Sequence, residues 1–282
     1  MKNEILEKLK TYFASRDEVA MAFLFGSVAK GTMTDESDVD IAVYFKPESG
    51  QVDLEEKKSF PNLNEIWRDV EKITQRNTDL VVLNNASANV ASAAISNSQP
   101  IIIKDRALYW RFYLPITSWA EDFRMFVESF WKIKERSHSL SKEDRERLIR
   151  TIDFMKDELT DLEKFKNLDQ QTYEKDRAQR RNVERWTENI VNASIDIGKI
   201  ILASSKQKIP GTYKEVLGNL ALLPKINKPM ADKLASFATL RNFLAHEYFD
   251  LRFKEIRNFI ENAGEVYGYL FDYARALIIS NP

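Results

Sequence analysis

The sequence predicts two domains of different class, an α/β domain over residues 1–138 and an all-α helical bundle over residues 139–282. About the first hundred residues alternate apolar strand-like runs with segments of helical spacing, in the order α-β-β-α-β-α-β. From Arg106 onward nearly every segment has helical periodicity. Only eight glycines and eight prolines occur among 282 residues, which favours long helices over turn-rich β structure.

The elements of the first domain follow from local patterns. Short apolar runs bounded by polar residues predict strands, and apolar residues repeated every three or four positions predict helices. The predicted elements are, in order, a helix over 2–15, a strand ending at Phe25, a strand over Asp38–Phe45, a helix over Leu63–Ile73, a strand over Asp79–Leu83, a helix over Ala86–Ser96 and a strand over Ile101–Ile103.

The second domain is predicted to begin near Ser139, after an aromatic-rich segment (106–136) that we interpret as a buried helix seam. Ser141 resembles a helix N-cap because an acidic first turn follows it. The other predicted helices are a single long one over Thr172–Ser204, which ends before Pro210-Gly211, and three that follow it, over Tyr213–Leu220, Pro229–Leu244 and Phe253–Ile278.

Composition excludes several classes of protein. The formal net charge is −1, so any contact with nucleic acid needs a local basic patch. Cysteine is absent, which excludes disulfides, thiolate catalysis and cysteine metal sites. With no signal-peptide pattern and no apolar run near the roughly 20 residues that span a bilayer, we expect a cytoplasmic protein without a membrane partner.

A Gly-Ser turn and a pair of aspartates form the first candidate site. Gly26 and Ser27 follow the first strand, and Asp38 and Asp40 open the second. Alternate residues of a strand share a face, so the two carboxylates repel unless a divalent cation lies between them. Backbone N–H groups and a hydroxyl suit a phosphate chain. Each feature alone is common in turns and loops, but together they favour nucleotide chemistry.

These residues resemble the nucleotidyltransferase superfamily of the DNA polymerase β type, and its minimal MNT branch in particular. Gly26 and Ser27 match the Gly-Ser of the family motif, and Asp38 and Asp40 match its metal carboxylates. The family uses a third carboxylate on a later strand, and Asp79 occupies the matching position. The resemblance implies a nucleoside triphosphate donor such as ATP, two Mg²⁺ ions and in-line attack on the α-phosphate.

Arginines recur along the predicted long helix. Arg177, Arg181 and Arg185 are spaced at i, i+4 and i+8, which places them on one helical face. One interpretation is a stripe that contacts RNA phosphates. The other is a solvated face whose arginines pair with nearby acidic residues, namely Glu174, Asp176, Glu184 and Glu188.

The chain contains two histidines, of which His138 lies in a polar stretch that indicates only a solvated side chain. The other, His246, follows Arg241 by five positions, roughly 140° apart on a regular helix. Either the helix ends between them or another element closes a groove. Such a groove suits RNA cleavage by the substrate's own 2′-hydroxyl without a metal, since histidine moves protons and arginine holds phosphate. A structural histidine at a helix end is the alternative.

Arg241, His246 and Tyr248 resemble the Arg-x4-His-x-Tyr motif of HEPN domains, specifically the HepT toxin branch, in which Asn242 matches a frequent polar position. The resemblance implies a metal-independent ribonuclease that acts on RNA as a homodimer. In that family an MNT antitoxin transfers AMP to the motif tyrosine, so it also implies Tyr248 as an acceptor and a toxin–antitoxin-like system on one chain. The alternative for Tyr248 is a packed ring with a solvated hydroxyl.

Two other functions stay open from the sequence. A small-molecule nucleotidyltransferase resembling the aminoglycoside-modifying enzymes also pairs such a catalytic domain with a helical one, and it predicts an acidic acceptor pocket and no role for His246. Alternatively, the helical half is a non-catalytic dimerisation or nucleotide-sensing module.

Overall fold

A computed structural model of the chain describes residues 2–32, 34, 37–48, 52–55, 58–136, 140–244 and 253–280. The chain divides into two compact units, Met1–Phe123 and Arg124–Pro282. This division falls within one long helix, upstream of the boundary predicted near Ser139. The bounds of the two functional domains stay a prediction. His138 and Ser139 lie outside the described residues.

The N-terminal unit has the predicted order of strands and helices, with one additional short helix directly after the first strand. Its elements are α1 (Lys2–Ala14), β1 (Val19–Phe25), α2 (Gly26–Lys30), β2 (Val39–Phe45), α3 (Leu63–Thr74), β3 (Thr78–Val82), α4 (Ala88–Ser96), β4 (Gln99–Ile103) and the first part of α5 (Arg106–Arg136). The four strands form one mixed sheet in the order β3-β2-β1-β4. β1 is antiparallel to β2 and β4, and β2 is parallel to β3.

Both faces of this sheet are covered, which explains why its central strands are continuous apolar runs rather than alternating ones. On one face, α1 and α3 supply buried residues that pack against the central strands, among them Leu9, Phe13, Ile66 and Val70. On the other face, the Tyr44 ring lies 4.5 Å from that of Phe112 on α5. The α/β class predicted for this region is confirmed.

The regular elements of the C-terminal unit are all helices in its described residues, as predicted, and turns connect them. After the second part of α5 come α6 (Lys142–Thr160), α7 (Leu162–Phe165), α8 (Gln170–Lys175), α9 (Arg177–Ser204), α10 (Tyr213–Gly218), a 3₁₀ turn (Asn219–Leu222), α11 (Lys228–Leu244) and α12 (Phe253–Ser280). α9 is the central helix and packs against α6, α10, α11 and α12. No helix in the described part of the chain is long and apolar enough to cross a bilayer.

The prediction of one helix over Thr172–Ser204 was wrong at its start. Asp176 adopts an extended conformation, with φ −94° and ψ 96°, and separates α8 from α9. Its carboxylate accepts hydrogen bonds from the backbone N–H groups of Ala178 and Gln179, at 2.9 and 3.0 Å. Aspartate is a strong N-cap, so satisfying these two free N–H groups competes with continuing the helix.

Candidate functional site

Strand register brings the predicted site residues of the N-terminal unit to one end of the sheet. Asp40 on β2 lies opposite Phe25 on β1 and opposite Asp79 on β3. Gly26 follows Phe25 directly, so the Gly-Ser turn begins beside Asp40. Because paired residues of neighbouring strands face the same side, Asp40 and Asp79 share a face, and Asp38 shares it by the two-residue period.

Gly26 approaches Asp40 so closely that no side chain fits between them. Its φ is +68°, a region that favours glycine. A Cβ built at this position would lie 1.8 Å from Oδ2 of Asp40. The Gly-Ser motif therefore has a structural reason that the sequence pattern alone does not show, namely that the aspartate carboxylate occupies the side-chain space of Gly26.

Gly26 and Ser27 are the first two residues of α2, and its C-cap, Gly31, is in the left-handed conformation with φ +75°. The Ser27 carbonyl accepts a hydrogen bond from the Thr32 backbone N–H at 3.1 Å. The Ser27 side chain is half-buried. This compact turn holds Ser27 next to the Gly26–Asp40 contact.

The three aspartates interact electrostatically. Burial, followed by the negative charges of Asp79 and Asp38, raises the pKa of the half-buried Asp40 carboxyl. Their oxygens are the donors that Mg²⁺ prefers, and a divalent cation would relieve the repulsion between them. Among the described residues, however, no three potential ligands lie close enough to form a ready-made metal cluster. Carboxylates repel one another when no cation lies between them. The three aspartates therefore provide suitable oxygen ligands for Mg²⁺, although they are not gathered into a cluster.

A pocket in the same unit lies elsewhere. It is lined by residues around the end of β2, including Phe45, Lys46 and the ring of Phe60, which stacks on Phe45 at 4.3 Å. Phe45 is at the opposite end of β2 from Asp40, a separation of roughly 17 Å at 3.3 Å per residue. The pocket is therefore separate from the aspartates.

In the C-terminal unit, Arg241 lies on α11 against an aromatic ring. Its Cζ atom is 4.4 Å from the centroid of the Tyr213 ring, at the start of α10. Tyr213 is in turn held edge-on by Phe126, with 5.5 Å between ring centroids. A guanidinium stacked on a buried ring has a defined orientation, which suits it to recognise a planar or tetrahedral anion.

The other residues of the predicted Arg-His-Tyr motif lie outside the described part of the structure. This applies to His246, to Tyr248 and to the side chain of Asn242. Their predicted roles, and the relative placement of Arg241 and His246, stay predictions.

The arginine face of α9 is only partly neutralised. Arg185 pairs with Glu188 at 2.9 Å, whereas Glu184 instead accepts a hydrogen bond from the Tyr173 hydroxyl at 2.6 Å. Arg177 and Arg181 are exposed and form no ion pair within the described residues. The solvated-pair interpretation therefore accounts for Arg185 but not for the first two arginines.

Comparison with known families finds one family match within each of the two structural units. The model of the family described as polymerase beta, nucleotidyltransferase, matches residues 7–107. The model described as ribonuclease HepT-like matches residues 155–268. The chain joins these two domains. No curated protein matches it.

The nucleotidyltransferase match includes Gly26, Ser27 and all three aspartates, and the HepT-like match includes Arg241 and the arginine face of α9. Within the HepT-like domain, sequence reasoning missed Tyr213. Tyr213 contacts Arg241 from a different helix, and the local sequence does not show that contact. Thr212 before it indicates only the start of a helix, and Thr212 does cap α10.

Proposed function

We propose that the nucleotidyltransferase domain transfers AMP from ATP to a hydroxyl group. The single observation that carries this proposal is the strand register that sets Asp40 beside both Asp79 and the Gly-Ser turn. Carboxylates next to the backbone N–H groups at the start of a helix can hold a metal-bound triphosphate, which neither feature does alone. A half-buried acid whose pKa is raised by burial and by neighbouring carboxylates, as that of Asp40 is, is typical of a functional site.

Each residue of the site has a distinct part in this proposal. Asp38, Asp40 and Asp79 would hold Mg²⁺, and Gly26 and Ser27 would hold phosphate oxygens. Bound divalent ions neutralise phosphate charge and orient the reacting groups. The acceptor oxygen forms a bond to the α-phosphorus as the bond to the bridging oxygen of the β-phosphate breaks, and pyrophosphate leaves. The acceptor's proton passes to a carboxylate of the site or to water.

We propose Tyr248 of the HepT-like domain as the acceptor, modified within one chain or between two copies. AMP on this tyrosine adds a negatively charged phosphodiester seven residues from Arg241 in sequence. That phosphodiester would compete with an RNA phosphate for the arginine and silence the nuclease. The arrangement would make the chain a toxin–antitoxin-like system whose two halves are covalently joined.

Intact-mass spectrometry after incubation with ATP and Mg²⁺ tests the transfer. We expect the wild type to gain one AMP unit, Tyr248→Phe to gain none, and the Asp38→Asn, Asp40→Asn double variant to lose transfer by at least about 10²-fold, because metal-dependent charge stabilisation supplies several kcal/mol. An AMP mass gain that persists in Tyr248→Phe would show that the acceptor is a different residue. Absence of gain in the wild type, together with transfer to an added aminoglycoside, would favour the small-molecule enzyme.

We propose that the HepT-like domain is an endoribonuclease that acts as a homodimer. The observation that favours it is the stacked guanidinium of Arg241, which suits a scissile phosphate, in a unit whose central helix carries two exposed arginines without ion pairs among the described residues. His246→Ala should abolish cleavage of a fluorescent single-stranded RNA and leave AMP transfer unchanged. Cleavage that persists in this variant, or that is absent from unmodified wild type, would favour a non-catalytic dimerisation or nucleotide-sensing module.

A further inference from the structure

Shortly before Asp38, the described residues Thr34 and Ser37 are joined by hydrogen bonds, and we call this bonded pair the turn before Asp38. The Ser37 backbone N–H donates to the Thr34 carbonyl at 3.2 Å, and the Thr34 backbone N–H donates to the Ser37 hydroxyl at 3.0 Å. The two hydroxyl oxygens lie 2.9 Å apart. These bonds shape the turn, but they join only its own two ends and do not set its position relative to the sheet.

The segment between α3 and β3 attaches this turn to the sheet. Nη1 of Arg76 donates to the Thr34 carbonyl at 3.1 Å and to the Ser37 carbonyl at 3.3 Å. The next residue, Asn77, accepts a hydrogen bond at its carbonyl from the Val39 backbone N–H at 2.9 Å. Both chain neighbours of Asp38 are therefore held by consecutive residues of a segment that is distant in sequence.

The same short segment leads directly to Asp79. β3 begins at Thr78, and its second residue is Asp79, which lies opposite Asp40. Residues 76–79 thus both hold the turn before Asp38 and present another carboxylate of the candidate site. A displacement of this turn would move Asp38 relative to Asp40 and Asp79 at once.

We propose that Arg76 is a positioning residue for Asp38. It fixes Thr34 and Ser37 so that the Asp38 carboxylate would reach a metal held with Asp40 and Asp79. This inference rests on the proposed nucleotidyltransferase function. Asp38 itself is exposed and one residue outside β2, so the sheet ladder alone does not hold it. The Arg76 guanidinium instead holds the residues that precede Asp38, through charge-assisted hydrogen bonds to two carbonyls.

The test compares Arg76→Met with a matched control, Arg68→Met. Met keeps the apolar part of the side chain but removes the charge and the donors, and Arg68 is an exposed arginine on α3. For Arg76→Met we expect AMP transfer to fall, and the Mg²⁺ concentration for half-maximal rate to rise, each by about 10-fold or more, the usual cost of losing a group that orients a metal ligand. Arg68→Met should match the wild type.

Arg76→Lys adds a readout that a merely structural role would not move. An ammonium also donates to two carbonyls, so we expect it to restore much of the rate and of the Mg²⁺ affinity that Arg76→Met loses. The Mg²⁺-dependent rise in melting temperature should be smaller in Arg76→Met than in the wild type. In an Asp38→Asn background, Arg76→Met should reduce that rise no further, because both changes remove the same ligand.

The outcomes separate this inference from the proposed function. A wild-type rate and Mg²⁺ dependence in Arg76→Met would overturn the role of Arg76 and leave the transferase intact. A wild type that transfers no AMP and shows no Mg²⁺-dependent stabilisation would overturn the proposed function itself. Should Arg76→Met not fold, Ser37→Ala probes the same turn by removing the hydroxyl that Thr34 contacts, and unchanged Mg²⁺ dependence in this variant would count against the inference.

Discussion

The two units hold their candidate residues in different ways. In the N-terminal unit, Asp40 and Asp79 lie side by side because parallel strands pair there, so the backbone ladder fixes their proximity. In the C-terminal unit, Arg241 is held by a side-chain contact, the ring of Tyr213 on another helix. A site built on strand register tolerates little change in backbone position, whereas a site built on stacked side chains depends on the identity of the ring.

The largest expected effect comes from one methyl group added at Gly26, because it would disturb the N-terminal site and leave the C-terminal one intact. In Gly26→Ala the new Cβ would meet Asp40 Oδ2 at 1.8 Å, so the carboxylate must move. We expect AMP transfer to fall by about 10²-fold, the effect of misplacing a catalytic group by about 1 Å, while RNA cleavage stays unchanged. Rates of AMP transfer and RNA cleavage measured on the same preparation check this.

Gly31→Ala is the matched control for that variant. Gly31 has a similar φ of +75°, but among the described residues, its chain neighbours aside, no atom lies within 4 Å of its would-be Cβ. Both alanine variants therefore carry backbone strain of about 1–2 kcal/mol, and only Gly26→Ala meets Asp40. Equal losses of AMP transfer in the two variants would show that backbone strain, rather than contact with Asp40, explains the effect.

In the C-terminal unit, the matching experiment removes the Tyr213 ring that Arg241 contacts. Tyr213→Leu deletes a cation–π contact of about 0.5–2 kcal/mol, so we expect RNA cleavage to fall about 2- to 30-fold with AMP transfer unchanged. Tyr213→Phe keeps the ring face and should stay within about 2-fold of the wild type. A Phe variant as poor as the Leu variant would assign the effect to the hydroxyl instead of the stacked ring.

The arginines of α9 distinguish exposed from paired charges within the helical unit. Arg177→Gln with Arg181→Gln should weaken binding of single-stranded RNA and lower the salt dependence of log K by about 1.4, since each phosphate that an arginine neutralises contributes about 0.7. Arg185→Gln should have less effect, since Glu188 already pairs with Arg185. Fluorescence anisotropy across salt concentrations, in a His246→Ala background, measures both. An unchanged salt slope in the double variant would exclude this face from the RNA interface.

The smallest expected effect is a gain in stability. Burial and the charges of Asp79 and Asp38 raise the folded pKa of Asp40, so its ionised carboxylate lowers stability at neutral pH. That cost decreases as pH falls through the raised pKa and is gone below the ordinary carboxyl value of 3.8. In metal-free buffer at pH 7, Asp40→Asn should raise the free energy of unfolding by about 0.2–1 kcal/mol, the size of exposed charge interactions. Chemical denaturation checks this, and added Mg²⁺ should reverse the order of the two proteins. A less stable variant at pH 7 without metal would contradict the destabilisation of the Asp40 carboxylate by burial and by its neighbours.

Much of the fold followed from local sequence patterns. Apolar runs located all four strands to within two residues at the ends given by the prediction, and Ser141 caps α6 as expected, accepting the Asp144 backbone N–H at 3.1 Å. The break at Asp176 did not follow, because an aspartate inside a polar helical stretch has the same local pattern whether it caps a new helix or faces solvent.

The sequence by itself determined the two fold classes, the alternation that sets Asp38 and Asp40 on one face, and the motifs that resemble a nucleotidyltransferase and a HEPN domain. Only the tertiary structure decided that Gly26 touches Asp40, that Arg76 holds the turn before Asp38, and that Tyr213 stacks on Arg241. The physical reason is the distance along the chain over which each interaction acts. Periodicity and capping act within a few residues, whereas strand register and side-chain stacking join residues that chain spacing does not relate.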